Sequence, residues 1–237
     1  MAGSLSAILL TMAILVAGEP SLAFTSDLNS SMLLEQRQQA WPEWKLPAPL
    51  TRPQQTDDLV YPGWFEGNWQ VESINVNSPN QPVIQHYARF QSDDHGRIVA
   101  DRSFNATSIG KALLGDRLVL VEDDPFSANY QVVKLKDNLR METNVIGRRQ
   151  ANLNDNTFLA DELVLQILHS SSPPRISQVE TLSRYQQRID NDGKPWICAE
   201  QWQASYPGPE SVMRRLAIST NHYRLCLKPL PGTAPSV

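Results

Sequence analysis

With 237 residues, 21 Lys and Arg against 25 Asp and Glu, and 41% hydrophobic residues, the chain has ordinary globular composition and a net charge of −4. That balance, with no long block of like charge, excludes the basic face that phosphate backbones require, so no nucleic-acid partner is expected. The length suits a single domain with a sizeable core.

Residues 5–17 form an uncharged apolar run of thirteen. This is within the ~7–15 of a secretory signal and short of the ~20 that a membrane-spanning helix needs. Gly18, Glu19 and Pro20 break the run, and Ser21, Leu22 and Ala23 supply small residues where a signal peptidase cuts. The expected signal peptide is 1–23 and the expected new N-terminus is Phe24. No Lys or Arg precedes Arg37, so the usual positive n-region is missing, and an uncleaved anchor or an apolar core helix stay open as alternatives. No later stretch is apolar enough to span a membrane, which predicts a soluble exported protein.

Residues 24–58 read as an extended leader rich in Gln and Pro, with one short helix over 32–40. Trp41, Trp44 and Leu46 are too apolar for a free tail, and are expected to pin the leader to the domain or to serve as a partner-binding arm.

From Tyr61 the pattern changes to short β-branched and aromatic segments separated by turn clusters. Strands are predicted near 67–74, 83–91, 96–102, 117–122, 129–135, 139–146, 161–168, 177–188, 196–204 and 221–228. One helix interrupts them after the third strand, with Asn105 as N-cap, Ile109, Ala112 and Leu113 at helical spacing, and Gly115 closing the end. The predicted domain is 59–230, followed by a flexible tail, 231–237. The fold class is mainly β, an antiparallel barrel or sandwich.

The last two strands carry a register. Alternation along 196–204 and 221–228 opposes Cys198 to Cys226, Glu200 to Arg224 and Trp202 to His222 on one face. Ile197 with Leu227, Ala199 with Leu225, and Gln201 with Tyr223 make the core face. Opposed Cα atoms at ~4.5–5.5 Å are close enough for a disulfide, so an exported chain is expected to form Cys198–Cys226, with two thiols packed as small hydrophobes as the alternative. This register turns Arg224 outward.

Signs of chemistry are few. The chain has no GxSxG, HExxH, CxxC, GxGxxG or P-loop, and His86, His95, His169 and His222 are isolated. Residues 152–156 alternate oxygen ligands as a calcium loop does, but Thr157 and Leu163 stand where Gly and Glu are required, leaving a polar turn. No catalytic residue, metal or cofactor is predicted. Asp101 and Arg102 form the most interesting polar pair. They precede a helix N-terminus, where an anion could be held or where Asp101 could accept backbone donors while Arg102 pairs locally.

Two segments resemble a known family. Tyr61, Pro62 and Trp64 followed by Gly67 and Trp69 match a YPxW then GxW opening, and Val99 to Asn105 (VADRSFN) with the following helix and Gly115 match a VADRxFN strand. Both are similar to uncharacterised proteins of photosynthetic bacteria and plastids, with weaker echoes at 177–181 and 223–225. The resemblance implies a thylakoid-lumen or periplasmic location and no known activity. More loosely, the GxW resembles the lipocalin and calycin signature, implying an up-and-down β-barrel whose end is closed by Trp69 beneath an Arg from the last strand, here Arg224. In such a barrel Trp69, Val71, Phe90, Phe104, Tyr223 and Leu225 would line a ligand site. The expected function is non-catalytic binding of a small apolar ligand: lipid, pigment or quinone. The alternative is a lumenal accessory or assembly factor that meets a membrane-complex subunit through the leader or the loop after Tyr206. A barrel-pocket isomerase or hydrolase has the least support.

Overall fold

The computed structural model describes residues 21–170, 173–211 and 215–230. The expected signal run at 5–17 and the tail at 231–237 lie outside the described residues. The first element, α1 (Ser21–Gln39), extends well beyond the short helix predicted over 32–40. Among the described residues, strands β1 (Val60–Tyr61), β2 (Gly67–Asn75), β3 (Ile84–Ser92) and β4 (Ile98–Ala100) precede α2 (Arg102–Leu114). Seven more follow: β5 (Leu118–Asp124), β6 (Ser127–Leu135), β7 (Arg140–Asn154), β8 (Thr157–His169), β9 (Arg175–Ile189), β10 (Pro195–Pro207) and β11 (Ser219–Pro229).

All eleven strands join one antiparallel sheet in the order β1-β4-β3-β2-β11-β10-β9-β8-β7-β6-β5. The first long strand thus pairs with the last, as in an up-and-down barrel, but the sheet ends at β1 and β5 and forms a curled half-barrel. The expectation of a closed barrel is corrected by α2, which packs against both β3 and β5.

The reason is chemical. Beyond Ala100 the edge of β3 needs partners, and Asp101 donates its backbone N–H to the Arg89 carbonyl at 3.0 Å. The Arg89 N–H then donates to Asn105 Oδ1 at 2.7 Å, and the Tyr87 N–H donates to Ser108 Oγ at 2.7 Å. Two residues three apart on a helix face therefore satisfy two donors two apart on a strand edge. Asn105 is thus an edge partner of β3, and the true N-cap is Asp101, whose carboxylate accepts from the Phe104 N–H at 3.1 Å. On the other side, Gly110 lets Leu118 approach so closely that a Cβ would lie 2.8 Å from Leu118 Cδ2.

The curl gives the sheet two apolar faces. The concave face holds Leu59, Phe65, Trp69, Val71, Phe90, Phe158, Ile197 and Leu227. The convex face holds Leu159, Leu163, Leu182, Trp202, Ala204 and Tyr206, covered by Leu34 of α1 and Trp44 of the leader. Trp44 is 1% exposed and donates its indole N–H to the Arg37 carbonyl at 2.6 Å. With Trp41, Leu46 and Leu50 also packed there, the leader is spent on its own domain and is not a free partner-binding arm. The loop after Tyr206 helps to hold it, since the Leu46 N–H donates to the Arg215 carbonyl at 2.9 Å.

The β10–β11 register is the one read from alternation: Cys198 opposes Cys226, Glu200 opposes Arg224 and Trp202 opposes His222. The expected disulfide is nevertheless absent, and both cysteines are free. Opposition sets the Cα spacing, but the side-chain rotamers decide whether the sulfurs meet. Here Cys198 Sγ turns across to Gln186 Oε1 of β9 at 4.0 Å. Alkylation of the denatured, non-reduced protein is therefore expected to label two cysteines per chain, and an unlabelled chain would restore the bond.

Candidate functional site

The concave end that the barrel reading reserved for a ligand is filled by protein. Phe65 is fully buried, with ring centroids 4.8 Å from Tyr61, 4.9 Å from Phe90 and 5.0 Å from Tyr185. Trp69 closes the same cluster and donates its indole N–H to the Phe65 carbonyl at 2.7 Å. Of the predicted lining residues, Trp69, Val71 and Phe90 are core and Leu225 packs against them. Tyr223 stands on the same face between Gln201 and Asn75. Phe104 is elsewhere: its ring lies under the Arg89 guanidinium at 4.1 Å. Arg224 does not cover Trp69, because it points outward, 63% exposed, to Glu200.

The Asp101–Arg102 pair separates. Asp101 occupies the α2 N-terminus itself and accepts from Arg89 at 3.2 Å, so no anion position remains there. Arg102 turns inward instead. Its Nη2 lies 2.6 Å from Asp58 Oδ1 and 3.3 Å from Glu162 Oε1, and Arg148 Nε donates to the same Glu162 oxygen at 2.7 Å. Arg148 further donates to the Asp57 carbonyl and to Asn129 Oδ1, each at 2.7 Å. Burial pushes the Glu162 carboxyl up, but Arg102 and Arg148 outweigh it and hold Glu162 below its usual range. This network ties the leader to β7 and β8. The available sequence signal was a charge inside an apolar strand, Glu162 within LADELVLQIL.

A second ionic cluster lies on the convex face beneath α1. Arg37 donates from Nε and Nη2 to the two oxygens of Glu180, each at 2.6 Å, and the Tyr206 hydroxyl donates to Glu180 Oε2 at 2.8 Å. Beside them Asp161 is fully buried, and neither carboxylate oxygen has a hydrogen-bond partner among the described residues. Burial first, then the charge of Glu180, holds the Asp161 carboxyl well above its ordinary range. Because the folded chain keeps this proton where the unfolded chain releases it, stability is highest below the ordinary carboxylate range. It falls as pH rises through that range toward the folded value, by up to ~1.4 kcal/mol per pH unit. Asp161→Asn is expected to flatten that slope in urea unfolding measured from pH 4 to 8, and an unchanged slope would assign it to another group.

The histidines do not converge. His169 lies 3.0 Å from Glu142, and His222 stacks on Trp202 at 5.3 Å with Nε2 2.5 Å from Glu200. Among the described residues no group of three or more His, Cys, Asp and Glu side chains gathers as a metal site. No described helix is long and apolar enough to cross a membrane.

The concavities lie on the outside. An apolar groove of about 450 Å³ opens where Leu46, Pro47 and Leu50 of the leader cross Ile146, Gly147 and Leu163 of the sheet. Gly147 lets the leader come close there, since a Cβ would lie a tight 3.0 Å from Leu50 Cβ. A second groove of about 390 Å³ lies on β9–β11 and is lined by Arg184, Arg188, Arg224, Gln186 and Trp202.

No curated protein and no solved structure matches the chain. A family model does: that of a domain of unknown function, DUF6816, matches residues 54–228, from the end of the leader through β11, and the chain belongs to that family.

Proposed function

We propose that this protein is a non-catalytic binding protein that carries a small neutral apolar ligand, of lipid, pigment or quinone type, in the groove beneath its leader. One observation carries the reading: apolar Leu46, Leu50, Ile146 and Leu163 face an opening of about 450 Å³, inside the ~300–1,000 Å³ of small-molecule sites. Because aromatic side chains pack the concave end, the outer groove is the position this reading gives the ligand. The resemblance described above supports an exported location, in the thylakoid lumen or periplasm. N-terminal sequencing should then find the mature chain starting near Phe24, and a chain starting at Met1 in the cytosol overturns that location.

The test of the groove is fluorescence titration with a neutral apolar probe, N-phenylnaphthylamine, together with native mass spectrometry of gently purified protein. Ile146→Trp, which fills the groove, is expected to abolish probe binding and retained mass. Probe binding unaffected by that substitution would defeat the proposal. The accessory-factor reading is favoured by a separate observation. Leu113, Leu114, Val119 and Leu120 are exposed together where α2 ends and β5 begins, and β5 is the last strand of the sheet. Crosslinking in intact membranes would recover a partner only if that surface is used, and Val119→Lys should remove it.

A further inference from the structure

The groove on β9–β11 has a chemistry of its own. The register sets Arg184 of β9, Glu200 of β10 and Arg224 of β11 in one row across the strands. Two residues further along, Gln186 and Cys198 form the next row, and Arg188 opposite Trp196 forms the one after. Strands ~4.8 Å apart put Arg184 and Arg224 roughly 10 Å from one another, with Glu200 between them.

Glu200 already pairs with Arg224. Arg224 Nε donates to Oε1 at 3.0 Å, and His222 Nε2 lies 2.5 Å from Oε2. Among the described residues neither Arg184 nor Arg188 has a carboxylate partner. Among the described residues the Arg188 guanidinium donates only to the neutral Gln186 Oε1, at 2.5 Å. A chain with more acids than bases has thus left two guanidiniums uncompensated in one groove. Beside them Gln38 and Gln186 add neutral donors, and Trp202 adds an apolar wall.

We propose that this groove binds the phosphate of a small phosphate monoester, with Arg184 and Arg188 as its charge partners and the organic part of the ligand against Trp202. The charge count selects the ligand: a phosphate monoester carries ≈ −1.5 to −2 at pH 7, which two guanidiniums neutralise. The chemistry of the donors agrees, since a guanidinium presents paired N–H groups that match two phosphate oxygens. A carboxylate would leave one arginine uncompensated. The site shares no residue with the apolar groove, so it stands or falls independently of the function proposed above.

The test is calorimetric titration of the full chain with phenyl phosphate at low ionic strength, following Trp fluorescence in parallel. Wild-type protein is expected to bind, and Arg188→Gln, at an exposed position, to weaken binding about tenfold. Arg184→Gln together with Arg188→Gln should abolish it, while Lys134→Gln, remote from the groove, should change nothing. A second arm uses co-sedimentation with phosphatidylcholine vesicles that contain or lack one-tenth phosphatidic acid. Binding of both phenyl phosphate and the acidic vesicles, lost together in the double variant, identifies a lipid headgroup as the source. Binding of phenyl phosphate alone identifies a soluble ester. No binding of phenyl phosphate by wild-type protein, or equal binding by the double variant, overturns the proposal.

Discussion

Arg37→Met will lower the unfolding free energy by about 3–5 kcal/mol and release α1 from the sheet, because it removes one partner of a buried ion pair and leaves the other charged. Arg37 side-chain exposure is 10% and that of Glu180 is zero, so water cannot replace the lost guanidinium. The loss would spread through the contacts that Arg37 organises: the paired bonds to Glu180, its Nη2 bond to the Lys45 carbonyl and its place 4.8 Å over the Trp44 ring. Asp161 beside it is no substitute cation, being a carboxyl that burial and then the charge of Glu180 hold well above its ordinary range. Urea unfolding measures the energy, and limited proteolysis within α1 reports its release. Adding Glu180→Gln removes the stranded charge and is expected to restore most of the stability. If the single variant unfolds like wild type, α1 is held by Leu34 and Trp44 alone.

Phe65→Ala is expected to cost a similar ~3–5 kcal/mol, through lost transfer free energy and the cavity left behind. The site is poorly placed to collapse, because Phe65 sits among the rings of Tyr61 and Trp64 of its own segment and of Phe90, Phe158 and Tyr185 from three separate strands. The cavity would be apolar and enclosed, a kind that stays dry and accepts small apolar guests. Phe65→Ala should therefore gain a xenon site in the concave core that wild-type protein lacks, detectable by xenon-dependent NMR shifts. Xenon entering the wild-type core near Phe65 would instead mean that this end is not packed solid.

How much of this was legible in the sequence follows from the range over which each interaction acts. The β10–β11 register was readable because a one-residue slip moves every side chain to the wrong face, so the Ile197, Ala199 and Leu225 pattern admits one pairing. The existence of α2 and its end at Gly115 were readable because caps and breakers act within a few residues. The start of α2 was misplaced for an equally local reason, since Asp101 and Asn105 are both good caps and only the position of β3 decides which one is drawn to a strand edge. That Trp44 would be buried was readable from its size and apolarity.

What the tertiary structure alone decided depends on residues far apart in the chain or on volumes that composition does not encode. Arg37 and Glu180 are 143 residues apart, and Arg102 meets Glu162 across 60, so no spacing rule links them; only the folded arrangement of the strands that carry the acids brings them together. The opening of the barrel required α2 to reach β3 with its Asn105 and Ser108 side chains, a contact that replaces a strand without resembling one. Whether the concave end held a ligand or its own aromatics turned on close packing, which the identities of Trp69, Val71 and Phe90 leave open until Phe65 and Phe158 are seen between them. The disulfide failed at the same scale: the register opposes two cysteines, and one sulfur lies toward Gln186 instead of its partner.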